Sequence, residues 1–209
     1  MQETINQIIK NRVLIIDGAM GTQLQLADIK DENWMFEGEN LEGCNELLNL
    51  NTPDVLRNIH DAYAKSGADL ITTNTFGTMP WVLDEYGISE QSYELTRLGA
   101  VLVKESCEKF STENKPRFVL GSIGPGTKLP SLGHIGYDEM YEGYKIVANG
   151  LADGGCDIFL LETCQDPLQI KAALHALQDT HPQIPIMVSV TIELSGTMLI
   201  GTDAMTIAA

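Results

Sequence analysis

Short apolar runs alternate with amphipathic stretches along most of this chain. The runs are four to six residues long and rich in β-branched residues, which is typical of strands buried on both faces of a parallel sheet. The stretches between them repeat apolar positions at helical spacing, so each strand is followed by a helix and the crossovers are right-handed. The predicted strands are residues 13–16, 70–73, 118–123, 158–161 and 186–190.

The helix after the first long loop carries clear start and stop signals. Thr52 caps it, Pro53 occupies its first turn and Gly67 ends it. Its predicted apolar stripe leaves His60 outside, so we expect this histidine on the surface or the flank of the helix. The stripe consists of Val55, Ile59, Ala62 and Tyr63.

Polar or glycine-rich positions follow four successive predicted strands, namely Asp17, Asn74, Gly124 and Glu162. Groups at several strand ends facing one mouth are typical of a (β/α)8 barrel of the TIM type. A doubly wound sheet would gather its ligand groups at one switch point, and the first turn lacks the G-x-G-x-x-G fingerprint. We therefore predict one α/β barrel domain over residues 1–209 with about the first five β/α units, truncated before strands six to eight.

An internal repeat supports this interpretation. Asp69 precedes the second predicted strand and Asn74 follows it, while Asp157 and Glu162 bracket the fourth strand in the same way. Both pairs are offset by 88 residues, since 157 − 69 = 162 − 74 = 88. Equivalent positions therefore recur after two β/α units.

Charge and hydropathy exclude several classes of protein. The chain has 13 basic and 29 acidic residues and a net charge of −16, without a basic cluster for nucleic acid or an anionic membrane surface. No run approaches the ~20 apolar residues of a membrane helix, and residues 1–11 lack a signal-peptide core. We predict a cytoplasmic protein.

The four cysteines show neither a disulfide pattern nor a zinc motif. Cys44, Cys107, Cys156 and Cys164 contain no C-x-x-C pair and are typical of reduced intracellular thiols. Cys164 follows Glu162 at a strand end, but one thiolate does not hold zinc. We predict no metal site within these residues.

Five segments resemble the homocysteine-binding domain of cobalamin-dependent methionine synthases, a branch of the homocysteine S-methyltransferase family. The resemblance runs nearly end to end and is stronger than that to the betaine-dependent and S-methylmethionine-dependent branches. The segments are DGAMGT at 17–22, GCNELLNLNTPDV at 43–55, GADLITTNTFG at 67–77, GSIGP at 121–125 and LETCQD at 161–166.

This resemblance implies methyl transfer from methylcobalamin to the thiolate of homocysteine, giving methionine. It implies that Asp17 and Glu162 bind the substrate ammonium and that the backbone of Gly18 and Ala19 receives its carboxylate. We expect Asn74, at a strand end beside them, to support the site. The resemblance also implies partner modules, on other domains or chains, that bind folate and cobalamin.

In this family three cysteine thiolates bind zinc, which lowers the pKa of the substrate thiol. They lie in a Gly-x-Asn-Cys context and an adjacent Cys-Cys pair, and neither motif occurs here. The resemblance therefore places the zinc ligands beyond Ala209, and we expect this chain to be inactive alone.

Two other functions fit the same residues. Asp17 and Glu162 suit an acid–base pair, or oxygen ligands for a hard metal such as magnesium, in another barrel enzyme. A truncated, non-catalytic product is the second alternative. Its open sheet edge predicts self-association or a covering segment.

Overall fold

A parallel sheet with helices on its outer face forms the centre of this α/β structure. The computed structural model describes residues 5–208, so residues 1–4 and 209 of the predicted domain lie outside the described part. The sheet order is β3-β4-β5-β6, with every neighbouring pair parallel. The strands are β1 (Met35–Phe36), β2 (Glu39–Asn40), β3 (Leu70–Thr72), β4 (Phe118–Ile123), β5 (Ile158–Cys164) and β6 (Ile186–Val190).

The longer helices follow the strands in the predicted alternation. Among the described residues no helix is long and apolar enough to cross a membrane. The helices are α1 (Ile5–Ile8), α2 (Met20–Leu26), α3 (Leu48–Asn51), α4 (Pro53–Ser66), α5 (Pro80–Leu83), α6 (Ser92–Phe110), α7 (Tyr137–Asp153), α8 (Pro167–Thr180) and α9 (Ala204–Ala208).

Alternate strand residues face two separate apolar layers. The outer layer joins the sheet to the long helices and includes Ile71, Val119 and Phe159. The inner layer lies on the opposite face, where Ile8 of α1 packs against it. Because side chains alternate along a strand, both faces are apolar, as the continuous apolar runs predicted. The inner-layer strand residues are Leu70, Phe118, Leu120, Ile158 and Leu160.

Residues 13–16 do not form the doubly buried strand that was predicted. They run beside β3 with a single parallel bridge between Ile16 and Leu70, and the N–H of Asp69 donates to the carbonyl of Ile15 at 2.8 Å. Val13 is 85% exposed and Ile15 is 59% exposed. Within the described residues no strand pairs with the far side of this segment, and although Leu14 packs against the inner apolar layer, Val13 and Ile15 stay exposed.

The prediction for His60 was also wrong. This histidine is completely buried on α4, where it lies one helical turn from Leu56 and one turn from Ala64. The buried stripe of α4 is thus rotated by about one residue from the predicted one. Both ring nitrogens lack a hydrogen-bond partner, and burial lowers the pKa of His60 to about 4.

The two repeat aspartates make the same contact. The carboxylate of Asp69 accepts a hydrogen bond from the N–H of Ile15 at 3.0 Å, and that of Asp157 accepts from the N–H of Val119 at 2.8 Å. Each aspartate therefore ties the start of its own strand to the preceding segment. This equivalence gives the 88-residue repeat a structural basis.

Candidate functional site

A cavity of about 650 Å³ opens at the carboxyl end of the sheet. All five residues proposed from the sequence line it: Asp17, Gly18, Ala19, Asn74 and Glu162. Asp17, Gly18 and Ala19 follow the segment that runs beside β3 at the edge of the sheet. Asn74 lies in the turn after β3, and Glu162 lies near the end of β5. This end of a parallel sheet is where barrel enzymes form their active sites.

The alternation of side chains along the strands explains which polar residues line the bottom of this cavity. Thr72, Ser122 and Glu162 each lie two residues beyond an inner-layer leucine, at 70, 120 and 160. Because strand side chains alternate with a period of two, these three face the same side as those leucines. The cavity therefore lies directly above the inner apolar layer, and all three residues line it.

Asp17 is held by the neighbouring strand. Its Oδ2 accepts from the N–H of Thr72 at 2.9 Å, and its Oδ1 accepts from the Thr72 hydroxyl. Burial raises the pKa of Asp17 above its usual value, the Thr72 hydrogen bonds counteract the rise, and the charge of Glu162 adds to it. The nearby charge of Glu162 therefore disfavours the ionised form of Asp17.

Glu162 lies beside an irregularity in β5. Leu161 pairs with Val188 whereas Cys164 pairs with Val190, so β5 contains one more residue than β6 over this interval. Thr163 has a φ of 54°, the left-handed region that a β-branched residue rarely adopts. Such a bulge redirects side chains at a strand end. Here the carboxylate of Glu162 accepts a hydrogen bond from the hydroxyl of Ser122.

The turn at Gly18 and Ala19 presents backbone to the cavity. The Tyr63 hydroxyl donates to the carbonyl of Ala19 at 3.1 Å, and a Cβ at Gly18 would lie 2.9 Å from the Tyr63 ring. A side chain at position 18 would therefore displace the Tyr63 ring, so glycine allows this close approach. Within residues 5–208 the N–H groups of Gly18 and Ala19 make no hydrogen bond, which leaves both donors available.

Asn74 is engaged in binding its neighbours. Its Nδ2 donates to the carbonyl of Asn45 at 2.8 Å and to Oδ1 of Asn49 at 3.1 Å, while Asn49 donates back to the carbonyl of Asn74 at 2.8 Å. These bonds join the segment before α3 to the turn after β3. Asn74 therefore links two segments of the cavity wall.

Sequence reasoning missed Glu46, Phe76, Thr72 and Ser122 as lining residues. Thr72 and Ser122 could have been predicted from the period-two alternation of side chains along their strands. Glu46 lies in a 3-10 helix, Asn45–Leu47, within the long loop that the sequence predicts before the helix capped by Thr52. Nothing in the local pattern indicates that this particular acidic residue turns toward the cavity.

The cavity is negatively charged. Asp17, Glu46 and Glu162 line it, and none of its described lining residues is Lys, Arg or His. Burial raises the pKa of Glu46, and its hydrogen bonds from backbone N–H groups counteract the rise. Such a site favours a cationic group, with the free N–H groups at Gly18 and Ala19 available for an anionic one.

The described residues do not fit a zinc site. No group of three or more His, Cys, Asp or Glu side chains within them is arranged to hold a metal ion. The free cysteines 44, 107, 156 and 164 are all buried. Burial raises the pKa of Cys44 to about 11 and that of Cys164 to about 12, which opposes formation of a thiolate ligand.

Comparison with known proteins gives consistent results. The model of a family described as homocysteine S-methyltransferase matches residues 14–209. The methionine synthase of Mycobacterium leprae is 45% identical over 201 residues, and that of Mycobacterium tuberculosis is 44% identical over 200. Each match covers 94% of this chain but only 16% of the relative's length.

Crystal structures of the homocysteine methyltransferase MmuM from Escherichia coli share the fold. The metallated form has a TM-score of 0.77 at 22% identity, covering 97% of this chain and 72% of that one. The oxidized form has a TM-score of 0.76 at 22% identity, covering 95% and 69%. The likeness confirms the predicted fold class, a partial barrel of the (β/α)8 type.

Proposed function

The chain belongs to the homocysteine S-methyltransferase family, and from that premise we propose that it forms the substrate-binding part of an enzyme that methylates homocysteine to methionine. The observation that carries this proposal is the joint position of Asp17 and Glu162 in one cavity whose described lining residues include no Lys, Arg or His. The ammonium group of an amino acid substrate would supply the positive charge that pairs with these two carboxylates.

The proposed roles follow the charges of homocysteine. Its ammonium donates hydrogen bonds to Asp17 and Glu162, and its carboxylate accepts from the N–H groups of Gly18 and Ala19. Thr72 and Ser122 orient the two carboxylates, and Asn74 supports the wall. In the reaction the thiol loses its proton and the sulfur lone pair forms the C–S bond, while the bond between methyl and donor breaks and its electrons stay with the donor.

The donor and the metal come from the family resemblance. We propose methylcobalamin as the donor, with cobalamin-binding and folate-binding modules outside this chain. We further propose that zinc is held by cysteines outside these 209 residues, so the chain alone does not turn over. The roles given to Asp17, Glu162, Gly18 and Ala19 concern the ammonium and the carboxylate of the substrate, so they do not depend on the metal. The cytoplasmic location stays a prediction.

Calorimetric titration of the 209-residue chain with two analogues tests the binding roles. L-2-aminobutyrate keeps the ammonium and carboxylate of homocysteine but lacks sulfur, whereas 4-mercaptobutyrate keeps sulfur but lacks the ammonium. We expect homocysteine and 2-aminobutyrate to bind and 4-mercaptobutyrate to bind at least about tenfold more weakly, since a hydrogen bond to a charged group contributes about 1.5–3 kcal/mol. Equal binding of both analogues would contradict ammonium recognition.

A second titration addresses the alternative of an acid–base or hard-metal site. The raised pKa of Asp17 beside Glu162 is the observation that favours it, because paired carboxylates with separated pKa values are common in acid–base catalysis. Binding of Mg²⁺ in place of 2-aminobutyrate would favour that alternative. Binding of the amino acid without Mg²⁺ would favour the methyltransferase proposal.

A further inference from the structure

Glu46 is a third carboxylate in the cavity, and none of the proposed roles uses it. It lies in the 3-10 helix Asn45–Leu47, away from the sheet. Its Oε1 accepts a hydrogen bond from the N–H of Gly77 at 2.7 Å. Gly77 follows the turn after β3, so this bond joins two separate segments of the cavity wall.

The side chain of Glu46 occupies the space that a side chain at position 77 would need. A Cβ built on Gly77 would lie 2.8 Å from Oε1, 3.2 Å from Cδ and 3.4 Å from Oε2 of Glu46, and these are its three nearest atoms. The φ of Gly77 is not in the left-handed region. A side chain at position 77 would therefore displace the carboxylate of Glu46, whereas the backbone conformation by itself does not demand glycine.

The adjacent residue, Phe76, lines the cavity and is 43% exposed. Its carbonyl accepts from the N–H of Gly124 at 3.0 Å. A Cβ at Gly124 would lie 2.9 Å from the Phe76 ring, so the ring lies closely over that glycine. Bonds on both sides thus hold the backbone of Phe76, one to Gly124 and one from Gly77 to Glu46.

We propose that Glu46 is a positioning residue that fixes the Phe76–Gly77 turn. The Phe76 ring then forms one wall of the cavity and packs against the methylene groups of the bound amino acid. This inference rests on the proposed function. Asp17 and Glu162 select the ammonium, whereas the wall held by Glu46 selects the length of the side chain. Glu46 acts through Phe76 and takes no part in the bond changes.

A double-mutant cycle on the 209-residue chain tests the proposal, with calorimetric affinities for homocysteine and for cysteine, which is one methylene shorter. We expect Glu46→Ala to weaken homocysteine binding about tenfold, the loss typical of a hydrogen bond to a charged group, and to reduce the preference over cysteine. Glu46→Gln keeps an oxygen for the N–H of Gly77 and recovers most of the lost affinity. Glu42→Ala, at an exposed position of the same region, is the control with unchanged affinity.

Gly77→Ala should weaken binding as Glu46→Ala does, because its Cβ displaces the carboxylate. In the Glu46→Ala background it should cost little more, since the atoms it would meet are gone. Additive losses, or an unchanged preference over cysteine in both single variants, would overturn the proposal. If Glu46→Ala does not fold, the Gly77→Ala and Glu46→Gln affinities decide in the same way. Failure of the unmodified chain to bind homocysteine would instead overturn the proposed function.

Discussion

Thr72 donates two hydrogen bonds to Asp17, one from its backbone N–H and one from its hydroxyl. Thr72 is the last residue of β3, whereas Asp17 lies on an edge segment with a single bridge to that strand. The orientation of Asp17 is therefore set by β3 and not by a strand of its own. This dependence makes Thr72 the first residue at which to test the site.

Thr72→Val removes the hydroxyl and keeps the backbone donor. We expect homocysteine affinity to fall about fivefold to tenfold, the range typical of one lost hydrogen bond, and the pKa of Asp17 to rise further because the hydroxyl lowers it. Calorimetry across a pH series measures both effects. Thr72→Ser, which retains the hydroxyl, should keep most of the affinity, and equal affinities for the Val and Ser variants would refute the role.

Glu162→Gln should weaken homocysteine binding about tenfold or more, because the ammonium loses a charged acceptor. Binding of 4-mercaptobutyrate, which lacks the ammonium, should change little. Glu139→Gln removes the same charge from an exposed position on α7 and serves as the matched control. If both variants bind homocysteine as the unmodified chain does, Glu162 does not contact the ammonium.

Strand ends and alternation were enough to predict most of the fold and much of the cavity. The runs at 118–123 and 186–190 match β4 and β6, and the five proposed site residues lie in one cavity. The reason is physical: strands of a parallel sheet covered on both faces are apolar until they end, so a polar residue at that point faces the mouth. The apolar pattern predicted the position of β6 but not its burial, since residues 187–189 are exposed at the edge of the described sheet.

Features that depend on distant contacts could not be predicted in this way. Residues 13–16 look like a buried strand, but their burial depends on a neighbour that does not exist within the described residues. The sequence of α4 fits two buried faces that differ by about one residue, and His60 is buried in only one of them. The contact between Glu46 and Gly77 joins segments 31 residues apart, which no local pattern reveals.

As the pH rises, the ionisation of Asp17 should lower the stability of the fold but raise the affinity for homocysteine. Its pKa is raised in the folded state, so its stabilising contribution is present below the unfolded value of 3.8 and is lost as pH rises through the folded pKa. Asp17→Asn should therefore be more stable than the unmodified chain at neutral pH, with no such gain at about pH 3, where both forms are uncharged.

Denaturant unfolding at the two pH values measures this difference. Homocysteine affinity should show the opposite trend, since binding requires the ionised carboxylate: in the unmodified chain it should rise as pH increases through the folded pKa, with proton release. Asp17→Asn should bind weakly at every pH. A variant that loses stability at neutral pH would contradict the interpretation.

The edge of the sheet predicts self-association of the 209-residue chain. Val13 is 85% exposed and lies beside an apolar groove of about 410 Å³ that also contains Leu14 and Ile186. Unpaired edges with apolar side chains favour pairing between chains, and a lysine there opposes it. Sedimentation equilibrium should show concentration-dependent association that Val13→Lys weakens. A monomeric unmodified chain with a cooperative unfolding transition would refute this prediction.

Thr163 stores backbone strain next to Glu162, and its replacement should separate stability from binding. A left-handed conformation costs an L-residue roughly 1–2 kcal/mol, whereas glycine there costs about 0.5–1 kcal/mol in chain entropy. Both Thr163→Gly and Thr163→Ala lose the side-chain hydroxyl, so the free energy of unfolding of Thr163→Gly should exceed that of Thr163→Ala by up to about 1 kcal/mol, or about 2–4 °C in Tm for a chain of this size.

Thr163→Ala provides the comparison for that variant. It keeps the strain but loses the hydrogen bond from the Thr163 hydroxyl to the carbonyl of Glu162, at 2.7 Å, so it should not stabilise the fold. The additional freedom of Thr163→Gly loosens the bulge that directs Glu162 toward Ser122, so homocysteine affinity should be lower in Thr163→Gly than in Thr163→Ala although the fold of the glycine variant is the more stable of the two. Thermal unfolding and calorimetry on the two variants measure these opposite effects, and parallel changes in both quantities would show that the strain has no part in orienting Glu162.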